Sequence, residues 1–119
     1  MEKEYLFVCY PKCGTCRKAR AWLEDNNLSF EERDIKEDNP TKEELSLWYE
    51  KSDYPLKRFF NTSGIMYREL KLKDKLKTMS EDEQVELLSS DGMLVKRPIL
   101  VGKDSVLVGF KEEEWKNIL

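Results

Sequence analysis

The first third of the chain contains two segments with the pattern of β-strands and, between them, one segment with the spacing of an amphipathic helix. Residues 5–10 are aromatic and β-branched, which predicts a buried strand that ends at Pro11. Residues 14–26 place apolar side chains at helical spacing, and residues 30–35 indicate a second, weakly apolar strand. A strand, a helix and a strand in this order form a βαβ unit with parallel strands. The predicted inner face of the helix comprises Thr15, Cys16, Ala19, Trp22 and Leu23.

The middle of the chain is helical in pattern. Capping boxes begin at Thr41 and Ser80, and each precedes an apolar stripe with helical spacing. Pro55 is expected to open a short helix between them. Residues 39–92 therefore predict an all-helical insert of several short helices.

Strand character returns near the end of the chain. Residues 97–101 and 105–108 are separated by a tight-turn signal, which predicts an antiparallel hairpin. Residues 111–119 predict a last helix whose inner face carries Trp115, Ile118 and Leu119. The predicted fold class is α/β: a thioredoxin-like βαβ–ββα core with a four-stranded mixed sheet and an inserted all-helical subdomain. We expect one domain over residues 1–119, with its core at about 1–38 and 93–119.

Composition and charge narrow the possible functions. The 119 residues include 21 Lys and Arg against 24 Asp and Glu, a net charge of −3, so no basic footprint for direct nucleic-acid binding is visible. The apolar runs are far shorter than the roughly 20 residues that span a bilayer, and the N-terminus lacks the apolar region of a secretory signal. A cytoplasmic protein without a membrane partner is expected.

The chain has no histidine and three clustered cysteines, Cys9, Cys13 and Cys16. The absence of histidine excludes Ser-His-Asp and Cys-His catalytic pairs. An odd, clustered cysteine count without a signal peptide favours working thiols over a secreted disulfide scaffold.

Cys13 and Cys16 form a C-x-x-C pair where the first strand gives way to the first helix. A helix N-terminus favours a thiolate over a thiol, and Lys12 and Arg17 add positive charge. Cys13 is thus the candidate attacking thiol. Cys16 shares the inner helix face and is the candidate resolving thiol.

Other interpretations of the cysteines remain open at this stage. The pair could simply pack in the core or form half of a zinc site, but structural zinc needs about four N or S ligands and only Cys9 is left over. No bound metal or cofactor is therefore expected. Cys9 lies inside an apolar strand, where a free cysteine behaves as a small hydrophobe, so we interpret it as a core residue.

Arg97 and Pro98 begin the third predicted strand. In the thioredoxin-like layout this proline is cis and lies against the active cysteine, so Arg97 is expected to bind an anion or a substrate carboxylate beside Cys13. The alternative is that Arg97 pairs with a surface acid. The Thr15 hydroxyl is expected to contact the thiolate or to cap the helix.

The sequence resembles the arsenate reductase (ArsC)/Spx family. The resemblance is carried by residues 10–19 (YPKCGTCRKA), by residues 96–100 (KRPIL), and by residues 107–110 (LVGF). It covers essentially the whole chain. It implies a thioredoxin-like fold with an inserted helical subdomain and chemistry at the position of Cys13.

The resemblance implies more than one function. Arsenate-reducing members use one nucleophilic cysteine, at the position of Cys13, and depend on glutathione and glutaredoxin. They bind the oxyanion with arginines, of which Arg97 matches one, while Asn61 and Gly109 stand where others are expected. Spx-type members use the C-x-x-C pair as a redox switch and bind the C-terminal domain of the RNA polymerase α subunit. This chain resembles that branch over residues 17–24.

The favoured function is a thiol–disulfide oxidoreductase that uses Cys13 and Cys16 on an unidentified small-thiol or protein-disulfide partner. Arg97, Pro98, Thr15 and Arg17 would bind the substrate or shape the site. Glutathione, thioredoxin or glutaredoxin would serve as external reductant. The alternatives are a glutathione-dependent arsenate reductase and a redox-sensing regulator that binds RNA polymerase.

Overall fold

The computed structural model describes residues 4–119. These residues contain a four-stranded mixed sheet with helices on both faces. The strands are β1 (Tyr5–Cys9), β2 (Phe30–Asp34), β3 (Ile99–Val101) and β4 (Val106–Val108), in the order β2-β1-β3-β4. β1 runs parallel to β2, whereas β3 is antiparallel to both β1 and β4. The parallel first pair and the C-terminal hairpin are therefore confirmed, and the arrangement is the predicted thioredoxin-like α/β fold.

One face of the sheet is covered by α1 (Gly14–Asp25) and α6 (Glu112–Trp115), followed by a 3-10 turn at Lys116–Ile118. The core on this side contains Phe7, Cys9, Cys16, Ala19, Trp22, Leu23, Leu100 and Trp115. The core prediction for Cys9 is thus confirmed, with no exposed surface.

The prediction is wrong for two residues that were expected on the inner faces of the first and last helices. Thr15 is exposed because it faces an open cavity at the N-terminal end of α1, whereas Cys16 in the same turn packs on the sheet. Leu119 is 65% exposed because the last α-helix ends at Trp115 and the tighter 3-10 turn changes the direction of the following side chains.

The other face of the sheet is covered by the segment between β2 and β3. It contains α2 (Lys42–Lys51), α3 (Ile65–Glu69), α4 (Leu72–Lys75) and α5 (Glu81–Ser90), with 3-10 turns at Leu56–Phe59, Leu76–Thr78 and Gly92–Leu94. Both predicted capping boxes are present, at Thr41 and at Ser80. The buried side chains of this segment share one core with Val8 and Ile99 of the sheet.

Polar contacts attach this helical segment to the end of β2. Arg33 on β2 makes a two-pronged hydrogen bond with Glu44 of α2, at 2.6 and 2.9 Å. The side-chain amide of Asn39 donates to the Ser89 carbonyl at 2.6 Å. Gly92 lies so close to the backbone of Ile35 that a Cβ there would stand 1.8 Å from its oxygen. These contacts hold the helical segment in a defined position beside the sheet edge where the cysteines lie.

Candidate active site

Cys13 is the N-cap residue of α1. Its backbone is extended, its N–H donates to the Tyr10 carbonyl at 2.9 Å, and its own carbonyl accepts from the Arg17 N–H at 3.1 Å. Pro11 follows the end of β1, so the chain turns sharply here and the helix starts three residues after the proline, at Gly14. The half-buried Cys13 side chain therefore stands at the positive end of the helix dipole, as predicted.

Cys16 lies in the first turn of α1 with no exposed surface. Its sulfur accepts a hydrogen bond from the Tyr10 N–H at 3.2 Å, and its side chain shares a core cluster with Cys9, against which Cys13 also packs. The contact with Cys9, reinforced by burial, raises the pKa of Cys16 well above its ordinary value. A buried thiol beside a more accessible sulfur is the arrangement that thiol–disulfide exchange requires.

Cys13 and Thr15 line a cavity of about 760 Å³ at the junction of the sheet and the helical segment. Five cationic residues also line it: Lys57, Arg58, Lys96, Arg97 and Lys111. Within residues 4–119 its lining contains no acidic side chain, although the chain as a whole carries a net charge of −3. The cavity is therefore a local concentration of positive charge beside the Cys13 sulfur, which favours anionic ligands.

Arg97 is held at this cavity with unused hydrogen-bond donors. Its Nε and Nη1 atoms are buried and find no hydrogen-bond partner among residues 4–119. The guanidinium carbon lies 5.4 Å from the centre of the Tyr10 ring, so a cation–π contact orients it. The alternative that Arg97 pairs with a surface acid is wrong, because none of the salt bridges among residues 4–119 involves Arg97.

The peptide bond between Arg97 and Pro98 is cis, which confirms the geometry expected from the thioredoxin-like layout. Pro98 is buried, and its carbonyl accepts a hydrogen bond from the Gly109 N–H at 2.8 Å. Pro98 itself is not part of the cavity lining. Pro98 therefore lies next to Arg97 in the chain but outside the cavity.

Of the remaining residues singled out from the sequence, Thr15, Asn61 and Gly109 line the cavity and Arg17 does not. The exposed Thr15 lines the cavity with Cys13. Arg17 is not part of the lining, since its Nε donates to the Pro11 carbonyl at 3.2 Å on the exposed side of α1. Asn61 and Gly109 both line the cavity, so neither position places a guanidinium there.

Several cations of the cavity were missed by sequence reasoning. Arg58 donates to the Val108 carbonyl at 3.3 Å, and its guanidinium carbon lies 4.5 Å from the centre of the Tyr54 ring. Lys57 and Lys111 complete the set. Lys57, Arg58 and Lys111 all lie more than 40 residues from the cysteines in the chain. Among the cations that line the cavity besides Arg97, only Lys96 therefore carried a local signal, because it is next to Arg97.

Two further observations concern metal binding and membrane crossing. Among residues 4–119, His, Cys, Asp and Glu side chains are nowhere grouped in threes or more in a way that could hold a metal ion. Helices in this range are also too short or too polar for a bilayer crossing.

The chain is similar to known proteins over nearly its whole length. YusI of Bacillus subtilis (strain 168) is 59% identical over 110 residues, 92% of this chain and 93% of YusI. The global transcriptional regulator Spx of Streptococcus agalactiae serotype V is 34% identical over 110 residues, 92% of this chain and 78% of Spx. The crystal structure of an ArsC-family-related protein from Bacteroides fragilis has a TM-score of 0.95 and 53% identity, covering 98% of each chain. A sequence model of the ArsC family matches residues 9–118, and the chain therefore belongs to the ArsC family.

Proposed function

We propose that the protein is a thiol–disulfide oxidoreductase that reduces an anionic disulfide. The observation that carries the proposal is a half-buried Cys13 at a helix N-terminus that packs against the core cluster containing the fully buried Cys16, beside a cationic cavity. The cavity supplies a binding place for a carboxylate-bearing substrate. The two sulfurs supply an attacking and a resolving thiol.

The proposed cycle has two exchange steps. The Cys13 thiolate attacks one sulfur of the substrate disulfide, so that a mixed disulfide forms and the other substrate sulfur leaves as a thiolate and takes up a proton. Cys16 then loses its proton and attacks the Cys13 sulfur, which releases the second substrate thiol and forms the Cys13–Cys16 disulfide. The substrate is reduced by two electrons and the protein is oxidised by two.

An external thiol completes the cycle by reducing the Cys13–Cys16 disulfide. Glutathione, or a thioredoxin- or glutaredoxin-type dithiol, has the required chemistry. This reductant implies a reducing compartment, for which the cytoplasm is the proposed location. Arg97 and Thr15 would position the substrate beside Cys13, and Pro98 would hold the Arg97 segment in place.

The test compares oxidised glutathione, an anionic disulfide, with cystamine, a cationic disulfide of similar chemistry. A thioredoxin-type dithiol serves as the reductant in both assays, because glutathione as reductant would regenerate oxidised glutathione and give no net reaction. The wild-type protein should reduce oxidised glutathione in preference to cystamine. Cys16→Ser should stall with one glutathionyl group on Cys13, visible by intact mass, and Cys13→Ser should acquire none. Equal turnover by Cys16→Ser and wild type would contradict an internal resolving thiol.

Arsenate reduction is a second candidate, because Arg97 and the other cations of the cavity suit an oxyanion beside Cys13. Asn61 and Gly109 weaken it, since they contribute no charge. The measurement is arsenate turnover with glutathione and glutaredoxin. Turnover that survives Cys16→Ser and is abolished by Cys13→Ser would favour this candidate over disulfide reduction.

The likeness to Spx supports a third candidate, a redox-sensing regulator that binds the C-terminal domain of the RNA polymerase α subunit. The same cysteine pair would then act as a switch. Capture of that domain by the oxidised protein and not by the reduced protein, or the reverse, would favour it. Equal capture in both states, or none, would oppose it.

A further inference from the structure

A second cavity lies in the helical segment, beside the cationic cavity at Cys13, and the proposed cycle leaves it unused. Its volume is about 380 Å³, which is within the usual range of ligand sites. Pro55 and Lys57, at the start of the 3-10 turn Leu56–Phe59, line both cavities. The two cavities therefore share one wall, and a ligand that crosses this wall can occupy both.

The walls of the second cavity are largely apolar. They comprise Tyr49, Pro55, Leu56, Tyr67 and Leu76. Leu56 and Tyr67 belong to the buried core between the helical segment and the sheet, and Tyr49 and Leu76 pack against that core. The cavity thus opens onto the hydrophobic core, where an apolar side chain of a ligand would be removed from water.

Two polar side chains of this cavity are already hydrogen-bonded within the protein. The Gln84 amide donates to the carbonyls of Leu76 and Met79, at 3.3 and 3.1 Å. The Tyr49 hydroxyl donates to the Glu81 carboxylate, which is the one acidic group of the lining among residues 4–119. Because these groups are occupied, the cavity offers a ligand chiefly its apolar walls and its lysines.

Three lysines supply positive charge to the second cavity: Lys57, Lys73 and Lys77. The last two belong to the basic run KLKDKLK at residues 71–77, where they are spaced by one helical turn and so lie on the same side. Among residues 4–119, neither Lys57 nor Lys73 forms a salt bridge, and the pair of Lys77 with Asp74 is exposed and long, at 3.7 Å. These lysines extend the positive surface of the first cavity into the second.

We propose that the two cavities together bind an extended, acidic segment of a protein substrate. The disulfide-bonded cysteine of that segment lies at Cys13, its carboxylates lie against the cations, and one apolar side chain enters the second cavity. The inference rests on the proposed function, because it names the class of disulfide that the Cys13–Cys16 pair reduces. The same two exchange steps apply, with the protein segment as the substrate disulfide.

The second cavity is what distinguishes a protein substrate from a small one. The first cavity, at about 760 Å³, is large enough to hold a small anionic disulfide by itself, so such a substrate leaves the second cavity empty. An extended chain advances about 3.3 Å per residue and carries side chains at regular intervals. It can therefore place carboxylates in one cavity and an apolar side chain in the next. Neither glutathione nor an inorganic oxyanion has a large apolar side chain to offer.

Two kinds of disulfide are compared as oxidants of the reduced full chain. One is oxidised glutathione. The other is the disulfide-linked dimer of an acidic peptide with one cysteine, several glutamates and one phenylalanine, prepared as a set with the phenylalanine at successive distances from the cysteine. Loss of the free Cys13 and Cys16 thiols is followed by alkylation and intact mass. For at least one peptide of the set, replacing phenylalanine by alanine should raise the half-saturating concentration roughly tenfold.

Charge reversal at the second cavity should affect the peptide alone. Lys73→Glu combined with Lys77→Glu is expected to raise the half-saturating concentration of the peptide roughly tenfold and to leave that of oxidised glutathione within about twofold. Lys103→Glu combined with Lys116→Glu is the matched control, because it makes the same change in net charge at exposed residues that line neither cavity. The control should leave both concentrations within about twofold of the wild type.

A photocrosslink locates the apolar side chain of the peptide. Cys16→Ser holds the peptide on Cys13 as a mixed disulfide, and benzoylphenylalanine in place of the phenylalanine reacts with neighbouring side chains on irradiation. The crosslinks, mapped by mass spectrometry, should fall on the walls of the second cavity, above all on Leu56, Tyr67 and Leu76.

The failures can be told apart. If neither disulfide oxidises the Cys13–Cys16 pair, the proposed function fails and the inference fails with it. If oxidised glutathione oxidises the pair but no peptide gains from its phenylalanine, the proposed function stands and the inference is overturned. A peptide response that the two double variants share equally, or crosslinks that fall outside the second cavity, would also overturn the inference alone.

Discussion

Replacing Arg97 by methionine is expected to stabilise the free protein and to weaken its binding of anions. The reason is that the Nε and Nη1 atoms of Arg97 are buried without hydrogen-bond partners among residues 4–119. Methionine keeps an apolar stem of similar length and removes both donors. Stability and ligand binding should therefore change in opposite directions.

The magnitude follows from the contacts that are lost. Each buried, unsatisfied donor costs about 1–3 kcal/mol, so removing two recovers at least about 2 kcal/mol. The lost cation–π contact with Tyr10 offsets roughly 0.5–1 kcal/mol, and part of the stem packing is lost as well. A net gain of about 1 kcal/mol corresponds to a rise in Tm of roughly 3–6 °C for a chain of this size. Loss of one charge-assisted hydrogen bond should weaken anion binding about tenfold or more.

The assay is thermal unfolding followed by circular dichroism, first in a buffer without multivalent anions and then with added sulfate as the probe. The wild type should gain Tm with sulfate, as a protein does with any ligand of its folded state, and Arg97→Met should not. Arg58→Met is the matched control, because that guanidinium is bonded to the Val108 carbonyl and stacked on Tyr54, so its loss should lower Tm. A lower Tm for Arg97→Met in the anion-free buffer, or an undiminished response to sulfate, would refute the reasoning.

Two further predictions concern the attachment of the helical segment. Arg33 holds the pKa of Glu44 at about 2, below its usual 4.5, so the ionised carboxylate stabilises the fold above about pH 4.5 and this contribution is lost as the pH falls through 2. Glu44→Gln keeps an oxygen for the capping box. Because the Glu44 side chain is 34% exposed, we expect the substitution to lower the free energy of unfolding by roughly 1–2 kcal/mol at neutral pH and by almost nothing near pH 2, as measured by urea unfolding. Gly92→Ala would place a Cβ 1.8 Å from the Ile35 oxygen and should cost about 3 kcal/mol or more in the same assay. Gly14→Ala, which has open space around the added Cβ, should show no comparable loss; similar losses for both glycines would contradict the steric argument.

Much of the fold could be predicted because its signals are local. Period-two and helical patterns depend on neighbouring residues, and a capping box needs only four, so the strands and the helices at Thr41 and Ser80 were predictable. The errors occur at the ends of helices. Thr15 continues the apolar spacing at one helix end and Leu119 at another, and spacing cannot tell where packing stops.

The candidate site divides in the same way. Sequence by itself determined the C-x-x-C pair at the start of a helix and the absence of imidazole chemistry, and it selected Arg97 and Pro98 as candidate site residues. The cationic cavity depended on tertiary structure, because it joins Arg58 and Lys111 to a cysteine that lies far from them in the chain. Such contacts depend on the sheet order and on how the helical segment packs against it, and no local pattern encodes them.

Cys9 shows the difference most clearly. Its sequence surroundings determined that it is buried, because an apolar strand places its side chain in the core. Only the packing of α1 on β1 decided that its neighbours there include Cys16 and Ala19 of the helix. Burial is a property of the local pattern. Chemical neighbourhood is a property of the assembled fold, because it is set by which distant side chains meet across the interface between two elements.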